Sequence, residues 1–319
     1  MTRYGYHASH EQHSPSTLLK YVRLAEQAGF DAAMCSDHFH PWVPSQGQSG
    51  FAWSWLGAAL CATNLDFGCV SAPGWRYHPA VIAQAAATLA EMYPDRFWLS
   101  VGSGEALNEH ICGAHWPAKS ERNARLLESI EVMRALWAGE TVTHYGRVTV
   151  EEATLYTRPA RPPAVFGAAL TPATARWLGG WADGLMTVGA APDALRSLID
   201  AFRDGGGEGK PIKVQCAFAW APTEADARSA AHREWAANLL GTDVLAVLRT
   251  PKQFEAAARF VSVDEVANAL PVSADPVRHI EHLQVYAELG IEDVYLHNVA
   301  RDQPEFIDVF GARVLPQLR

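Results

Sequence analysis

Short apolar runs alternate with longer stretches of helical periodicity along almost the whole chain. The predicted strands cover residues 4–8, 30–35, 65–70, 96–100, 164–169, 182–188, 212–220 and 291–297. The predicted helices cover residues 16–28, 51–62, 79–92, 120–137, 172–179, 192–203, 223–239, 276–289 and 304–315. About eight strand–helix pairs are typical of an α/β fold of the TIM (β/α)8 barrel type. A doubly wound sheet is disfavoured, because no G-x-G-x-x-G follows a predicted strand.

Two segments interrupt this alternation. Residues 141–156 show the polar and apolar alternation of a hairpin, which predicts an excursion from the barrel. Residues 241–271 show neither periodicity and predict an irregular insertion. We therefore expect residues 1–319 to form a single barrel domain with loop insertions.

Composition and charge narrow the class of partner. The chain has 26 basic and 35 acidic residues, for a net charge of −9, and no basic cluster, which disfavours binding to nucleic acid. No apolar run approaches the roughly 18 residues of a membrane span. The five cysteines are scattered and show no C-x-x-C spacing, which is typical of reduced cytoplasmic proteins. A small-molecule substrate is the partner that remains.

Polar side chains follow two of the predicted strands at the point where each strand ends. Residues 36–42 read Ser-Asp-His-Phe-His-Pro-Trp, and residues 101–105 read Val-Gly-Ser-Gly-Glu. The carboxyl ends of parallel barrel strands meet at one mouth, where barrel enzymes carry their active sites. The sequence therefore predicts an enzyme whose site includes His38, Trp42 and Glu105.

These three side chains suit proton transfer coupled to a redox step. The imidazole of His38 can exchange a proton with a hydroxyl group near neutral pH. The carboxyl group of Glu105 can hold that imidazole in one tautomer or act as a second acid or base. The indole of Trp42 offers a flat apolar wall that orients a substrate and excludes water.

Three blocks of sequence carry a resemblance to a known family. They cover residues 36–42, 75–84 and 102–109, and the last of them reads Gly-Ser-Gly-Glu-Ala-Leu-Asn-Glu. Together they resemble the luciferase-like superfamily of flavin- and deazaflavin-dependent oxidoreductases, and within it the F420-dependent glucose-6-phosphate dehydrogenase branch. The resemblance implies a homodimer that transfers a hydride between bound FMN or F420 and a small organic substrate.

The resemblance also implies roles for individual residues. His38 would be the acid/base over the cofactor ring, Glu105 its partner carboxylate and Trp42 the wall beside the substrate. The residues implied to bind the cofactor are Asp37, Cys69, Val70, Ser103, Gly104, Asn108, Ala169, Leu170 and Thr171. The family places a cis peptide bond behind the ring, which would fall at Cys69–Val70.

Two departures from the family pattern change what is expected. The basic residues that hold the sugar phosphate would fall near Ala191, Ala256 and Ala269. Lys252, Arg249 or Arg259 could replace them, but glucose-6-phosphate is not expected as the substrate. A glycine pair at the cofactor tail is replaced by Leu170 and Thr171, whose side chains would crowd a phosphate. This replacement favours FMN slightly over F420.

Two other functions stay open. His38 and His40, with His7, His297 and Asp183, could form the site of a metal-dependent hydrolase, although the apolar Pro-Trp that follows His40 opposes it and no metal is expected. A non-catalytic flavin-binding protein is the second alternative. Six further histidines are expected at the surface, namely His10, His13, His144, His232, His279 and His282.

Overall fold

Eight parallel strands close into a barrel in the computed structural model, which describes all of residues 1–319. The strands are β1 (Arg3–Ala8), β2 (Ala32–Ser36), β3 (Asp66–Ser71), β4 (Phe97–Val101), β5 (Val142–Tyr145), β6 (Thr149–Ala153), β7 (Val165–Ala168), β8 (Gly184–Val188), β9 (Ile212–Phe218) and β10 (Asp293–Asn298). Strands β5 and β6 form the predicted hairpin, and the other eight form the barrel, closed by pairing of β1 with β10. The predicted TIM-barrel fold is confirmed.

Helices follow the barrel strands and cover the outside. They are α1 (Pro15–Gln27), α2 (Ala52–Ala62), α3 (Pro79–Met92), α4 (Ala106–Glu109), α5 (Lys119–Ala138), α6 (Pro172–Gly179), α7 (Pro192–Phe202), α8 (Glu224–Trp235), α9 (Thr242–Leu245), α10 (Pro251–Ala258), α11 (Val263–Ala269), α12 (Pro276–Glu288), α13 (Gln303–Val309) and α14 (Leu315–Leu318). Several begin at a capping side chain followed by proline, as at Ser14 before α1, Thr171 before α6 and Asp275 before α12. Such caps satisfy backbone N–H groups that have no partner within the helix. None of the helices combines the length and apolar character that crossing a membrane requires.

Large side chains fill the lower half of the barrel. This layer consists of Ala32, Met34, Trp98, Phe166, Met186 and Tyr295. Beneath it, Asp293 is fully buried and pairs with Arg3 at 2.7 Å and with Lys213. Because this end is packed, a ligand can enter only from the carboxyl ends of the strands, where β2 and β4 deliver the polar segments.

The segment between α8 and α12, expected to be irregular, contains the three short helices α9, α10 and α11. Two of them begin with a capping box, in which the side chains of Thr250 and Gln253, and of Ser262 and Glu265, bond reciprocally to backbone N–H groups. Helices of four to eight residues are too short to show a clear apolar periodicity. The capping boxes were the sequence feature from which α10 and α11 could have been predicted.

Two further expectations differ from the structure. Every peptide bond is trans, including Cys69–Val70, which lies in the extended β3 and pairs in register with Leu99 and Ser100 of β4. Of the histidines expected at the surface, three are buried. His10 is 0% exposed because its ring packs on Trp55, His13 packs on Tyr21, and His279 bonds to the carbonyl oxygen of Ser273.

Candidate active site

His38 lies just beyond the end of β2 and is paired with Glu11, which lies just beyond the end of β1. The two atoms that meet are His38 Nδ1 and Glu11 Oε1, 2.7 Å apart. Glu11 is 4% exposed, and its other oxygen accepts a hydrogen bond from the Ser9 hydroxyl at 2.9 Å. With Nδ1 facing Glu11, Nε2 is the imidazole nitrogen left for a ligand.

The three ionisable groups of the site shift one another's pKa values. Burial opposes charge on His38, but the carboxylate of Glu11 outweighs it and raises the pKa of His38 above its ordinary value. The same pairing overcomes burial at Glu11 and holds its pKa far below the usual range. Burial raises the pKa of Glu105, whose Oε2 is buried without a hydrogen-bond partner. The site thus combines an imidazole whose pKa is raised by a carboxylate partner with a carboxyl group whose pKa is raised by burial.

Trp42 covers this pair from the loop after β2. Its ring lies edge-on to His38, with 5.4 Å between ring centroids, and also 5.4 Å from the ring of Phe254 in α10. Phe254 is fully buried and packs with Val43 and Leu107. The insertion between α8 and α12 therefore provides an apolar cover over the mouth.

Asp37 lies beside His38 and is engaged by protein donors on both carboxylate oxygens. Oδ2 accepts hydrogen bonds from Trp53 Nε1 at 3.0 Å and from the Ser71 hydroxyl at 2.9 Å. Oδ1 accepts one from the Tyr77 hydroxyl at 3.1 Å and lies 3.1 Å from the guanidinium of Arg76. The contacts assign this carboxylate to holding the loop; its expected contact with a cofactor stays a prediction.

Arg76 links Asp37 to the short helix α4. Its guanidinium also lies 3.0 Å from Glu109, and all three side chains are nearly inaccessible to solvent. On the same helix, Asn108 Oδ1 accepts hydrogen bonds from the backbone N–H groups of Phe39 and His40. Asn108 therefore fixes the loop that carries His38.

The turn after β4 holds Ser103 and Gly104 against the start of α5. Lys119 Nζ donates a hydrogen bond to the Ser103 hydroxyl at 2.8 Å. Gly104 has φ of +82°, and a Cβ there would lie 3.2 Å from the Trp116 ring. Only glycine suits this left-handed and crowded position.

The other residues implied to bind a cofactor lie at the ends of β3 and β7. Val70 packs against the side chains that fill the barrel, whereas Cys69 is fully buried on the opposite face of β3. Ala169 is buried, Thr171 caps α6, and the Leu170 side chain is 56% exposed. Leu170 therefore does not fill the mouth; crowding of a cofactor phosphate by Leu170 and Thr171 stays a prediction.

The ligands of the hypothetical metal site are not brought together. His40 Nδ1 lies 2.9 Å from the carbonyl oxygen of Leu107, and the carboxylate of Asp183 bonds to Arg134 and to a backbone N–H of β7. His7 and His297 do pack together, with 4.2 Å between ring centroids. No group of three or more His, Cys, Asp or Glu side chains is arranged to hold a metal ion.

The fold and the site together define a barrel whose mouth combines a carboxylate-paired imidazole with an apolar cover. Residues 1–293 match the family described as luciferase-like monooxygenase, and the chain belongs to that family. It is therefore an oxidoreductase.

Two relatives and one solved structure show how close the similarity is. The chain is 38% identical over 330 residues to an F420-dependent glucose-6-phosphate dehydrogenase of Nakamurella multipartita, covering 99% of this chain and 96% of the relative. It is 36% identical over 328 residues to the enzyme of the same name from Microbacterium testaceum, covering 99% and 97%. An F420-dependent secondary alcohol dehydrogenase in complex with an F420-acetone adduct superposes with a TM-score of 0.91 at 33% identity, covering 100% and 99%. These names give no support to the preference for FMN drawn from Leu170 and Thr171.

Proposed function

We propose that this protein is an F420-dependent dehydrogenase that transfers a hydride between the cofactor and a small alcohol or ketone. The observation that carries the proposal is the pair of Glu11 and His38 at the barrel mouth, covered by the apolar rings of Trp42 and Phe254. The three relatives described above, all named for F420, support this cofactor over FMN.

The residues of the mouth fit a flat ring system. Ser100 follows Trp98 by two positions on β4, so its side chain faces the barrel interior, and its buried hydroxyl oxygen has no partner. Buried polar atoms without partners are rare unless a ligand satisfies them, and Glu105 Oε2 is another. A Cβ on Gly102 would meet only the Ala168 Cβ, at 3.8 Å, so the wall is open there. Val70, Ser100 and Glu105 would hold the ring, and bound F420 would supply the carbon that accepts or donates the hydride.

His38 would carry the proton that accompanies the hydride. In alcohol oxidation its neutral form accepts the hydroxyl proton while the hydrogen on the carbinol carbon leaves with both electrons, so that C=O replaces the C–H and O–H bonds. In the reverse direction the imidazolium donates that proton to the ketone oxygen. Glu11 pairs with Nδ1 and stabilises the imidazolium, while burial raises the pKa of Glu105 and so favours the protonated form, which can donate a hydrogen bond within the site.

The lining favours an apolar alcohol over a sugar phosphate. Ala191 precedes α7, and Ala256 and Ala269 lie exposed on α10 and α11, so these positions supply no cation. A phosphate ester without charge-assisted partners binds poorly. The rings of Trp42 and Phe254 instead suit alkyl groups on either side of a carbinol carbon. Assembly as a homodimer in the cytoplasm stays a prediction, which light scattering and cell fractionation can test.

Equilibrium binding tests the choice of cofactor. We expect purified protein to quench the fluorescence of F420 at lower concentrations than that of FMN. Tight binding of FMN with weak binding of F420 would contradict the proposal and make this a flavin enzyme. If the protein bound neither F420 nor FMN, neither cofactor could be assigned to it.

Replacing Glu11 with glutamine should move the pH dependence of alcohol oxidation. Oxidation needs neutral His38, so kcat/KM rises with pH through the pKa of His38, which Glu11 raises. Without the carboxylate, burial remains and lowers that pKa, so the rise moves to lower pH. Loss of the fixed tautomer should also reduce kcat by about 10²-fold. Steady-state kinetics across a pH series gives both results.

The matched control is Glu128→Gln. Glu128 Oε2 lies 3.1 Å from His144 Nε2, so this is the same kind of pair in a different part of the fold. Its pH profile should match that of the wild type. A Glu11→Gln profile that also matches the wild type would show that Glu11 does not control the protonation of His38.

A further inference from the structure

Three cationic side chains in the first half of α5 have no carboxylate partner. Lys119 Nζ bonds to the Ser103 hydroxyl, while Arg122 and Arg125 bond only to the backbone carbonyl oxygens of Pro117 and Gly74. The acidic residues Glu121 and Glu128 of the same helix pair elsewhere, with Arg147. The start of α5 therefore carries uncompensated positive charge.

Burial makes this lack of partners costly. Arg122 is only 7% exposed, and the Nε atoms of both Arg122 and Arg125 are buried without a partner. A guanidinium removed from water needs a counterion or a full set of hydrogen bonds. The guanidinium groups do stack on Trp116 and Trp75, at 4.8 and 4.3 Å from the ring centroids, but cation–π contacts offset only part of this cost.

These cations lie beside the turn that follows β4. Trp116 and Trp75 pack over Gly104, where a Cβ would be 3.2 and 3.4 Å from their rings. Ser103, which Lys119 contacts, precedes that glycine, and Glu105 follows it at the mouth. The cationic cluster is therefore adjacent to the place proposed for the cofactor ring.

We propose that Ser103, Lys119 and Arg122 form a binding site for phosphate and carboxylate groups, occupied by the anionic tail of the cofactor. The proposal rests on the proposed function, because it needs a cofactor whose ring lies against Glu105. A phosphate or carboxylate there would provide the missing counterion through charge-assisted hydrogen bonds. The tail site then depends on the start of α5.

The test compares two ligands that share a ring and differ in the tail. Binding of F420 and of its tail-less deazaflavin chromophore is measured by fluorescence quenching for the wild type, Lys119→Gln and Arg122→Gln. We expect each substitution to weaken F420 binding about 10-fold and to leave binding of the tail-less chromophore unchanged. Added salt should weaken F420 binding less in the variants than in the wild type, because fewer charges remain to be screened.

Arg134→Gln is the matched control, because it removes one positive charge from the same helix. Residue 134 is 15 positions from Lys119, about 22 Å along the helix, and its side chain pairs with Asp183. This variant should bind both ligands like the wild type. Lys119 is exposed at the first turn of α5, so Lys119→Gln is informative even if Arg122→Gln does not fold.

Four outcomes would overturn the assignment. Unchanged F420 binding in Lys119→Gln would reduce the cluster to structural Arg–Trp stacking. Weaker binding of glucose-6-phosphate with unchanged F420 binding would make the occupant a substrate phosphate. Equal wild-type affinity for F420 and the tail-less chromophore would remove the tail site but leave the proposed function intact. Binding of neither by the wild type would remove the proposed function and the tail site with it.

Discussion

Replacing His38 with alanine is expected to lower turnover by about 10²-fold or more while leaving cofactor affinity nearly unchanged. In the proposed mechanism the imidazole transfers the proton, and its Nδ1 already lies 2.7 Å from Glu11, so its main contact is with a protein group. The rings of Trp42 and Phe254 keep their contact with each other at 5.4 Å and still cover the mouth. Steady-state kinetics and fluorescence titration of F420 on the same preparation measure both quantities.

His144→Ala serves as the control for removing an imidazole that is paired with a glutamate. His144 lies on the hairpin strand β5, and the variant should keep wild-type turnover. Equal losses of turnover and of cofactor affinity in His38→Ala would assign His38 a structural role. The size of the turnover loss alone would not distinguish the two roles.

Replacing Arg76 with leucine is expected to reduce the free energy of unfolding by about 3–5 kcal/mol. Its guanidinium lies 3.1 Å from Asp37 and 3.0 Å from Glu109, and both carboxylates are only 1% exposed. Without Arg76 the two buried carboxylates lack a counterion. Removing one partner of a buried ion pair is strongly destabilising because the charge that remains is buried and uncompensated. Urea denaturation followed by fluorescence measures the change.

The destabilisation should also depend on pH. Burial raises the pKa of Glu109 to about 7 even with Arg76 present, and losing the guanidinium raises it further. A carboxyl group whose pKa is raised by folding contributes stability that is lost as pH rises through the folded-state pKa. Arg76→Leu should therefore lose more stability above neutral pH than in acid.

Arg161→Leu is the control for loss of an ion pair. Arg161 pairs with Asp95, but its side chain is 77% exposed, so a change of at most about 1 kcal/mol is expected. If Arg76→Leu is no more destabilising than Arg161→Leu, the buried network contributes little to stability. The placement of the His38 loop would then rest mainly on Asn108.

The fold could be predicted because its signals are local. Helices α3 and α6 have the predicted limits of 79–92 and 172–179, and each begins with a capping side chain followed by proline. The short helices α9 to α11 were missed because four to eight residues give too little apolar periodicity. Phe254, which covers the mouth, therefore could not be placed from the sequence.

Only part of the site was predicted from the sequence. The residues that were missed are defined by contacts between segments that lie far apart in the chain. His38, Trp42 and Glu105 belong to segments that follow strands, so their position at the mouth follows from the barrel itself. Glu11 follows β1 in the same way, but its contact with His38 joins two different strand ends, and neighbouring histidines made its loop look exposed. Arg76 was within a recognised block, yet its buried pairing with Asp37 and Glu109 is visible only in three dimensions.

The central claim is hydride transfer from an alcohol carbon to F420 at this mouth. It is tested most directly with propan-2-ol carrying deuterium on the carbinol carbon, mixed with the protein and oxidised F420 in the absence of oxygen. The account predicts that the cofactor is reduced, that deuterium appears in the reduced cofactor, and that glucose-6-phosphate gives no reduction. Reduction without deuterium in the cofactor, or reduction by glucose-6-phosphate alone, would contradict it.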